Sequence, residues 1–243
     1  MSSRNNCTVP KLGIIVPSSN TTMEREFSWL GRNRFTVHTT RIKLSKVTLV
    51  ELEAMERDVV EAASLLADAD VDVIAYGCTS GSLFRGIGHD FELVDRIKKK
   101  TDVPAVATAG CVVNAFRHLN INAVAVATPY IDEVNKVEQK FLSDNGFEVV
   151  KIRGLGIQDN LEIGRTKEQK TVKLASEVNE DEADAVFISC TNLPTFDIIK
   201  RLEQTLGKPV VSSNTATLWS MLKTITQDYT WLDLGELFKL KRD

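Results

Sequence analysis

The strongest constraint on this sequence is an internal repeat with a constant offset of 112 residues. Identical residues recur at that spacing through both halves, and no gap is needed to align them. The recurring pairs are Pro17 and Pro129, Asn33 and Asn145, Phe35 and Phe147, Val37 and Val149, Arg41 and Arg153, Asp72 and Asp184, Cys78 and Cys190, and Thr79 and Thr191. The repeat predicts two structurally similar halves, whereas the alternative is a chance alignment of two ordinary strand–helix units.

Short apolar runs and amphipathic segments alternate in both halves, as strands and helices do. The predicted strands are 12–16, 35–42, 71–76, 104–107, 123–127, 148–152, 185–189 and 210–211. The predicted helices are 21–30, 49–69, 91–100, 131–145, 168–180, 196–206 and 215–226. This alternation predicts an α/β fold of two pseudo-symmetric halves, each a parallel sheet flanked by helices, with the active site in the cleft between them.

The chain is expected to return to its first half at the end. Residues 1–117 together with 213–243 are predicted to form the first α/β half, and residues 118–212 the second. The final helix and tail are assigned to the first half because the last strand of the second half has to pass the chain on.

Charge and composition narrow the classes of partner. The formal net charge is −3 and the pI about 5.8, whereas a nucleic-acid-binding protein usually carries a basic patch or a high pI. No apolar stretch approaches the length of a membrane span, and the first residues lack the apolar core of a signal peptide. We therefore expect a cytoplasmic protein with reduced cysteines that binds neither nucleic acid nor membrane.

Metal and nucleotide sites are not predicted. The four cysteines include no Cys-x-x-Cys pair, and the three histidines have no metal-ligand spacing. The glycines in the segment 81–88 fit neither the dinucleotide nor the phosphate-loop pattern.

Four loops at the carboxyl ends of predicted strands are rich in small and hydroxyl side chains. They begin at Pro17, Gly77, Thr128 and Ser189. Ligands of open parallel sheets bind at this edge, where helix N-termini present backbone N–H groups to anions. The loops therefore predict a site for a small carboxylate.

Cys78 and Cys190 occupy matching positions in two of these loops, each at a predicted step from strand to helix. A thiol at a helix N-terminus is expected to have a lowered pKa. Two similar halves would place both thiols on opposite sides of one substrate, as nucleophile and acid or base. A lone cysteine more often only fills space; the matched positions favour chemistry for this pair, and Cys7 and Cys111 lack that context.

The sequence leaves two further residues open. Tyr130 follows Pro129 at a strand end, so its hydroxyl could reach the cleft, although a surface turn would also explain it. Asn160 could bind substrate or could merely cap the helix that follows it.

Five segments carry a family resemblance: 16–24, 76–82, 128–130, 159–165 and 189–195. In this order they resemble the maleate cis–trans isomerases, which belong to the aspartate/glutamate racemase superfamily together with arylmalonate decarboxylase. The resemblance extends from about residue 12 to residue 219.

This resemblance implies isomerisation of maleate to fumarate without a cofactor. It implies that Cys78 is the nucleophile, that Cys190 is the second catalytic cysteine, and that Asn20, Tyr130 and Asn160 bind substrate. The thiolate would add to the double bond as a succinyl-cysteine, the new single bond would rotate, and elimination would follow. The strand-end loops add further candidate substrate-binding residues: Pro17, Ser18, Thr79, Ser80, Thr191 and Asn192.

Several alternatives remain at this stage. The same two thiols would serve a cofactor-independent racemase or epimerase of an amino acid or hydantoin. An arylmalonate-type decarboxylase is less favoured, because those relatives keep only the cysteine of the second half. Two lobes with a cleft also describe non-enzymatic small-molecule binders that close by a hinge. A homo-oligomer, either dimer or tetramer, is the default for such an enzyme.

Overall fold

The structure, a computed structural model, describes residues 9–239. These residues form two four-stranded sheets in which neighbouring strands run parallel. The first sheet has the order β2-β1-β3-β4 and contains β1 (Lys11–Pro17), β2 (Thr36–Ile42), β3 (Val73–Tyr76) and β4 (Ala105–Ala107). The second has the order β6-β5-β7-β8 and contains β5 (Ala123–Thr128), β6 (Glu148–Gly154), β7 (Ala185–Ile188) and β8 (Val210–Ser212). The predicted fold class is confirmed.

The sequence repeat is a structural repeat. β2 and β6 begin 112 residues apart, and so do β3 and β7. Even a side-chain contact repeats: the carboxylate of Asp72 accepts a hydrogen bond from the Lys11 N–H at 2.7 Å, and that of Asp184 accepts one from the Ala123 N–H at 2.9 Å. Each aspartate thus anchors the first strand of its sheet.

The central strands β1, β3, β5 and β7 are buried almost throughout, whereas the edge strands β2 and β6 are partly exposed. A central strand has strands on both edges and helices on both faces, which explains its continuous run of valine, isoleucine and alanine. The edge strands β2 and β6 therefore keep the polar residues, and the ends of the central strands lie deep in the molecule.

Helices cover both sheets. Those of the first half are α1 (Met23–Gly31), α2 (Leu49–Glu56), α3 (Val59–Ala67), α4 (Thr79–Leu83), α5 (His89–Thr101) and α6 (Thr108–Leu119). The later ones are α7 (Asp132–Asp144), α8 (Asn160–Gly164), α9 (Glu168–Val178), α10 (Ile199–Leu206) and α11 (Ser213–Thr224), followed by a 3₁₀ turn at Glu236–Phe238.

Two helix predictions need correction. The single helix predicted over 49–69 is interrupted, because the N–H groups of Arg57 and Asp58 bond to carbonyls three residues earlier and tighten the backbone into a turn. Helix α6 was not predicted. Most of its residues are buried, so its sequence lacks the polar face by which a surface helix is recognised.

The last helix returns to the first half. α11 packs on α6 and against β3 and β4, and the 3₁₀ turn packs on α11 and α6. Within residues 9–239, no helix combines the length and apolarity that a membrane span requires.

Candidate functional site

The two cysteines of the repeat lie at the carboxyl ends of the central strands. Cys78 follows β3 after one residue, and Cys190 follows β7 after one residue. Their loops are joined across the halves, because the Thr191 hydroxyl donates to the Gly77 carbonyl at 3.0 Å. The thiols therefore face one shared region.

Cys78 caps the short helix α4. Its Sγ accepts a hydrogen bond from the Gly81 N–H at 3.3 Å, and the Ser80 hydroxyl lies 3.8 Å away. Gly81 is required here, because an added Cβ would lie 2.6 Å from Tyr76 Oη and 3.0 Å from Cys78 Sγ. The loop thus brings a backbone donor onto the sulfur and leaves no space beside it.

Cys190 sits in a different local structure, which corrects the prediction of a strand-to-helix step. The chain from 189 to 198 is irregular, and α10 begins only at Ile199. Cys190 has a backbone φ of 99°. Residues other than glycine rarely adopt this conformation, so the surrounding structure must hold it in place. The Cys190 N–H donates to Ser213 Oγ at 3.0 Å, and the Asn192 N–H donates to the thiol at 3.4 Å.

Burial, not helix position, dominates the acidity of both thiols. Cys78 is 4% exposed and Cys190 5%. Burial raises the pKa of Cys78 to about 11 despite the Gly81 N–H, and raises that of Cys190 to about 12. The expectation of lowered thiol pKa values is therefore wrong, because loss of hydration disfavours the thiolate more than local donors favour it.

Tyr130 is buried beside Cys190, which excludes the surface-turn alternative. Its N–H donates to Thr128 Oγ1 at 3.1 Å, and that hydroxyl in turn donates to Asn135 on α7. The Tyr130 hydroxyl hydrogen-bonds Cys190 and lowers the thiol pKa, whereas burial and both thiols raise the pKa of the phenol well above its usual range. The phenol therefore stays protonated and can donate.

Asn20 uses both ends of its amide. Oδ1 accepts from the N–H groups of Thr22 and Met23, at 2.9 and 3.0 Å, at the start of α1. Nδ2 donates to Thr191 Oγ1 at 3.1 Å. Asn20 thus links the first strand-end loop to the Cys190 loop.

Asn160 is buried at the first position of α8, but it is not the cap. Asp159 caps that helix by accepting from the Glu162 N–H at 2.8 Å. The Asn160 amide donates to Ser19 Oγ at 2.8 Å, and its carbonyl accepts from the Asn192 side chain. The structure thus brings Asn160, Asn192 and the Pro17 loop together across the two halves.

The remaining predicted residues divide into two groups. Thr79, Ser80, Thr191 and Asn192 are buried next to the thiols in sequence and in space. Pro17 ends β1 and is buried, but Ser18 is exposed, and its hydroxyl pairs with the backbone of Leu44. Ser18 therefore shapes a loop rather than facing the thiols.

Ser213 was missed from the sequence. Its Oγ accepts from the Cys190 N–H and, at 2.8 Å, from the Thr79 hydroxyl, so it joins both cysteine loops. The signal was present: residues 212–215 form another run of small hydroxyl and amide residues directly after a short strand.

Glu26 was also missed. It is buried on α1, and its carboxylate accepts from the N–H groups of Thr195 and Phe196 and from the Asn214 side chain, at 2.6, 3.0 and 2.6 Å. Burial outweighs these donors and raises its pKa to about 7. No local pattern marks a single glutamate on an amphipathic helix as a brace between halves.

The other cysteines fall outside this cluster. Cys111 is buried in α6 within the apolar core and interacts with the hydroxyls of Ser220 and Thr217. Cys7 lies outside the described residues. Within residues 9–239, no group of three or more histidine, cysteine, aspartate or glutamate side chains is placed to hold a metal ion.

Comparison with known proteins identifies relatives along almost the whole chain. The family profile of arylmalonate decarboxylase matches residues 12–238. The maleate isomerase of Geobacillus stearothermophilus is 31% identical over 229 residues, which cover 88% of this chain and 91% of that protein.

Two solved structures share the fold. The maleate isomerase of Pseudomonas putida, solved with maleate, is 30% identical with a TM-score of 0.91, covering 95% of this chain and 98% of that chain. The maleate cis–trans isomerase of Nocardia farcinica, with a covalently bound succinylcysteine intermediate, is 26% identical with a TM-score of 0.92, covering 96% and 99%. On its match from residue 12 to residue 238, this chain belongs to the arylmalonate decarboxylase family.

Proposed function

We propose that this protein isomerises maleate to fumarate without a cofactor, with Cys78 as the nucleophile and Cys190 as the second catalytic cysteine. The observation that carries the proposal is the pair of buried thiols at matching repeat positions, held in loops that hydrogen-bond to each other. Relatives named maleate isomerases, one of them with a succinylcysteine, support the same chemistry.

Isomerisation requires that the carbon–carbon double bond become single for a time. The Cys78 thiolate forms a bond to one alkene carbon, and the π electron pair moves to the other carbon, which takes a proton from Cys190. After rotation, the Cys190 thiolate removes a proton from that carbon, the double bond reforms and the bond to Cys78 breaks. Atoms and charge balance, and nothing is oxidised or reduced.

The surroundings of each sulfur fit these roles. Burial raises the pKa of Cys78 to about 11, and the Gly81 N–H and the Ser80 hydroxyl oppose this rise, so these two donors favour the thiolate that reacts. The Tyr130 hydroxyl lowers the pKa of Cys190, and so stabilises the thiolate that forms when this residue gives up its proton.

Neutral donors are proposed to hold the two carboxylates. Asn20, Tyr130 and Asn160 supply these donors from three separate segments of the chain. Further donors are the hydroxyls of Thr79, Ser80 and Thr191 and the side-chain amide of Asn192. In the water-excluded site such bonds are stronger than in solution. Because Asn20, Asn160 and Asn192 bond to partners in the protein, substrate binding has to exchange some of these contacts for carboxylate oxygens.

The first test is to mix reduced protein with maleate, with no added metal or cofactor, and to follow fumarate by NMR in D₂O. Fumarate at enzymatic rates supports the proposal. No fumarate, together with deuterium entering the α-carbon of an amino acid or hydantoin, would instead identify a racemase or epimerase.

A second test addresses the nucleophile. Cys190→Ala is incubated with maleate, and its intact mass and peptides are measured. We expect a succinyl adduct on Cys78, whereas Cys78→Ala should give neither adduct nor turnover, and the core variant Cys111→Ala should remain active. Turnover by Cys78→Ala near the wild-type rate would exclude covalent addition at this residue.

We propose a cytoplasmic location, supported by the three free cysteines among the described residues. We also propose a homo-oligomer, which is the default for such enzymes.

We propose that the protein has two domains. Residues 1–117 together with 213–243 form the first, and residues 118–212 form the second. The packing of α11 on α6 supports this division.

A further inference from the structure

A buried glutamate lies behind the Cys190 loop and has no part in the chemistry above. Glu138 is on the inner face of α7, one turn after Asn135, and its side chain is 0% exposed. Among residues 9–239, none makes a hydrogen bond of normal geometry to either of its carboxyl oxygens. A buried polar group without partners is costly, so its presence requires a reason.

The neighbours of Glu138 belong to the site. A charge on Glu138 raises the pKa of both Tyr130 and Cys190, and the Ser189 hydroxyl is the group that lowers the pKa of Glu138 itself. Ser189 is the residue directly before Cys190, and its hydroxyl also lacks a partner of normal geometry among the described residues. Asn135, one turn earlier on α7, accepts from Thr128 Oγ1, and that hydroxyl accepts from the Tyr130 N–H. The buried face of α7 that carries Glu138 therefore packs on the side of the site that holds Tyr130 and Cys190.

Among residues 9–239, no cationic side chain compensates a charge at this position. β6 and α4 are the elements that pack most extensively on α7, and α4 carries no charged residue. The charged side chains of β6 are at least partly exposed and pair elsewhere or face solvent: Glu148, Lys151 (with Glu180) and Arg153 (with Glu177). Ionised Glu138 would therefore be an unpaired charge in the interior.

An unpaired interior carboxylate takes up a proton rather than pay for desolvation. Burial accordingly raises the pKa of Glu138 to about 7. Below about pH 7 the group is mainly a carboxylic acid, near that pH about half of it is ionised, and above it the carboxylate predominates.

We propose that Glu138 is a positioning residue for the isomerisation, whose neutral carboxyl allows Cys190 to hold the negative charge that it gains on giving a proton to the substrate. This inference rests on the proposed function. An ionised Glu138 would repel both the Cys190 thiolate and the substrate carboxylates, and would hold the Cys190 proton more tightly. Activity per active site should therefore fall as Glu138 ionises.

The test compares kcat/KM of Glu138→Gln with that of wild type across pH 5 to 9. Glutamine keeps the shape and stays neutral. We expect the ratio of variant to wild type to be constant in acid and to rise above about pH 7, towards about tenfold per pH unit for a single ionisation. The ratio cancels ionisations that both proteins share, including those of maleate. A ratio that is flat from pH 5 to 9 would overturn the proposal.

Two further variants make the comparison sharper. Glu133→Gln changes an exposed glutamate of the same helix, and its ratio should be flat. Glu138→Met is neutral but makes no comparable hydrogen bonds, and it should show the same alkaline rise, because the effect depends on charge. If Glu138→Gln does not fold, Glu138→Met replaces it as the neutral variant in this comparison.

Alkylation of Cys190 gives a readout that needs no substrate. At pH 9, iodoacetamide should label Cys190 several-fold faster in Glu138→Gln than in wild type, because the carboxylate that raises the thiol pKa is gone. Equal rates would overturn the coupling. If maleate were not turned over, the proposed function would fail, but this measurement would still decide whether Glu138 controls Cys190.

Discussion

The hydroxyl of Thr191 donates a hydrogen bond to the carbonyl of Gly77 across 3.0 Å. These residues are the chain neighbours of Cys190 and Cys78, so this hydrogen bond joins the two thiol-bearing loops directly. The same hydroxyl accepts from Asn20 at 3.1 Å. One buried oxygen thus ties together three strand-end loops from both halves.

Thr191→Val should lower kcat strongly while the protein remains folded. Valine has nearly the same shape but leaves the Gly77 carbonyl and the Asn20 amide unpaired, at a cost of about 1–3 kcal/mol in the free energy of unfolding. A displacement of about 1 Å between reacting groups lowers kcat about 100-fold. Steady-state kinetics and urea denaturation measure both effects. Thr191→Ser, which keeps the hydroxyl, should restore kcat, and an unchanged kcat in Thr191→Val would contradict this role.

Gly81→Ala should inactivate the enzyme through Cys78. The added Cβ would lie 2.6 Å from Tyr76 Oη, 2.8 Å from Met55 Cε and 3.0 Å from Cys78 Sγ. Since the thiol and the helix N–H cannot both keep their places, we expect kcat to fall at least about 100-fold. Kinetics with a circular dichroism melt distinguish displacement of the thiol from loss of the fold. Wild-type kcat in a folded Gly81→Ala would show that the methyl group is accommodated without moving the sulfur.

The resting thiols should react slowly with alkylating agents. Their pKa values are raised to about 11 and about 12, so the thiolate fraction at pH 7.5 is below about one in a thousand. A raised thiol pKa means that reactivity increases as pH rises, by about tenfold per unit below the pKa. Iodoacetamide labelling at pH 7 and pH 9, followed by mass spectrometry, measures this, with urea-denatured protein as the reactive control. Rapid labelling of the folded protein at pH 7 would contradict the burial argument.

Glu26→Ala should destabilise the protein strongly. The change leaves three buried donors unpaired, namely the N–H groups of Thr195 and Phe196 and the Asn214 amide, and should lower the free energy of unfolding by about 3–5 kcal/mol. Urea denaturation measures the loss. The control is Glu24→Ala on the same helix: Glu24 pairs with Arg41 in a half-exposed ion pair, so this change should cost at most about 1 kcal/mol. Equal losses in both variants would contradict the brace.

Much of the architecture follows from local pattern. The predicted strands all form. The central ones are recognisable because buried parallel strands require continuous runs of β-branched and small apolar residues. Helix α6 escaped prediction because it is buried on most of its surface, and the 49–69 helix was predicted whole because nothing in its composition marks the tight turn at Arg57. Those two features depend on packing against neighbours that are distant in sequence.

The candidate site divides in the same way. The repeat and the strand-end loops identified Cys78 and Cys190, since residue type and offset are properties of the sequence. Their acidity was predicted in the wrong direction, because burial depends on which segments close over a side chain. The contacts of Ser213, Glu26 and Glu138 with the site can be recognised only in the folded protein, because elements from both halves form them.

By itself, the sequence determined the duplicated α/β fold, the edge of the sheets that carries polar loops, and the identity of the paired cysteines. These follow from periodicity and from an offset of 112 residues, which need no knowledge of long-range contacts. Only the tertiary structure decided that the thiols are buried, that Thr191 and Ser213 hold their loops together, and that the carboxyl of Glu138 is buried without a hydrogen-bond partner among the described residues. Solvation and hydrogen-bond partners are set by residues up to 188 positions apart, as in the bond from Asn214 to Glu26, and no local pattern encodes such contacts.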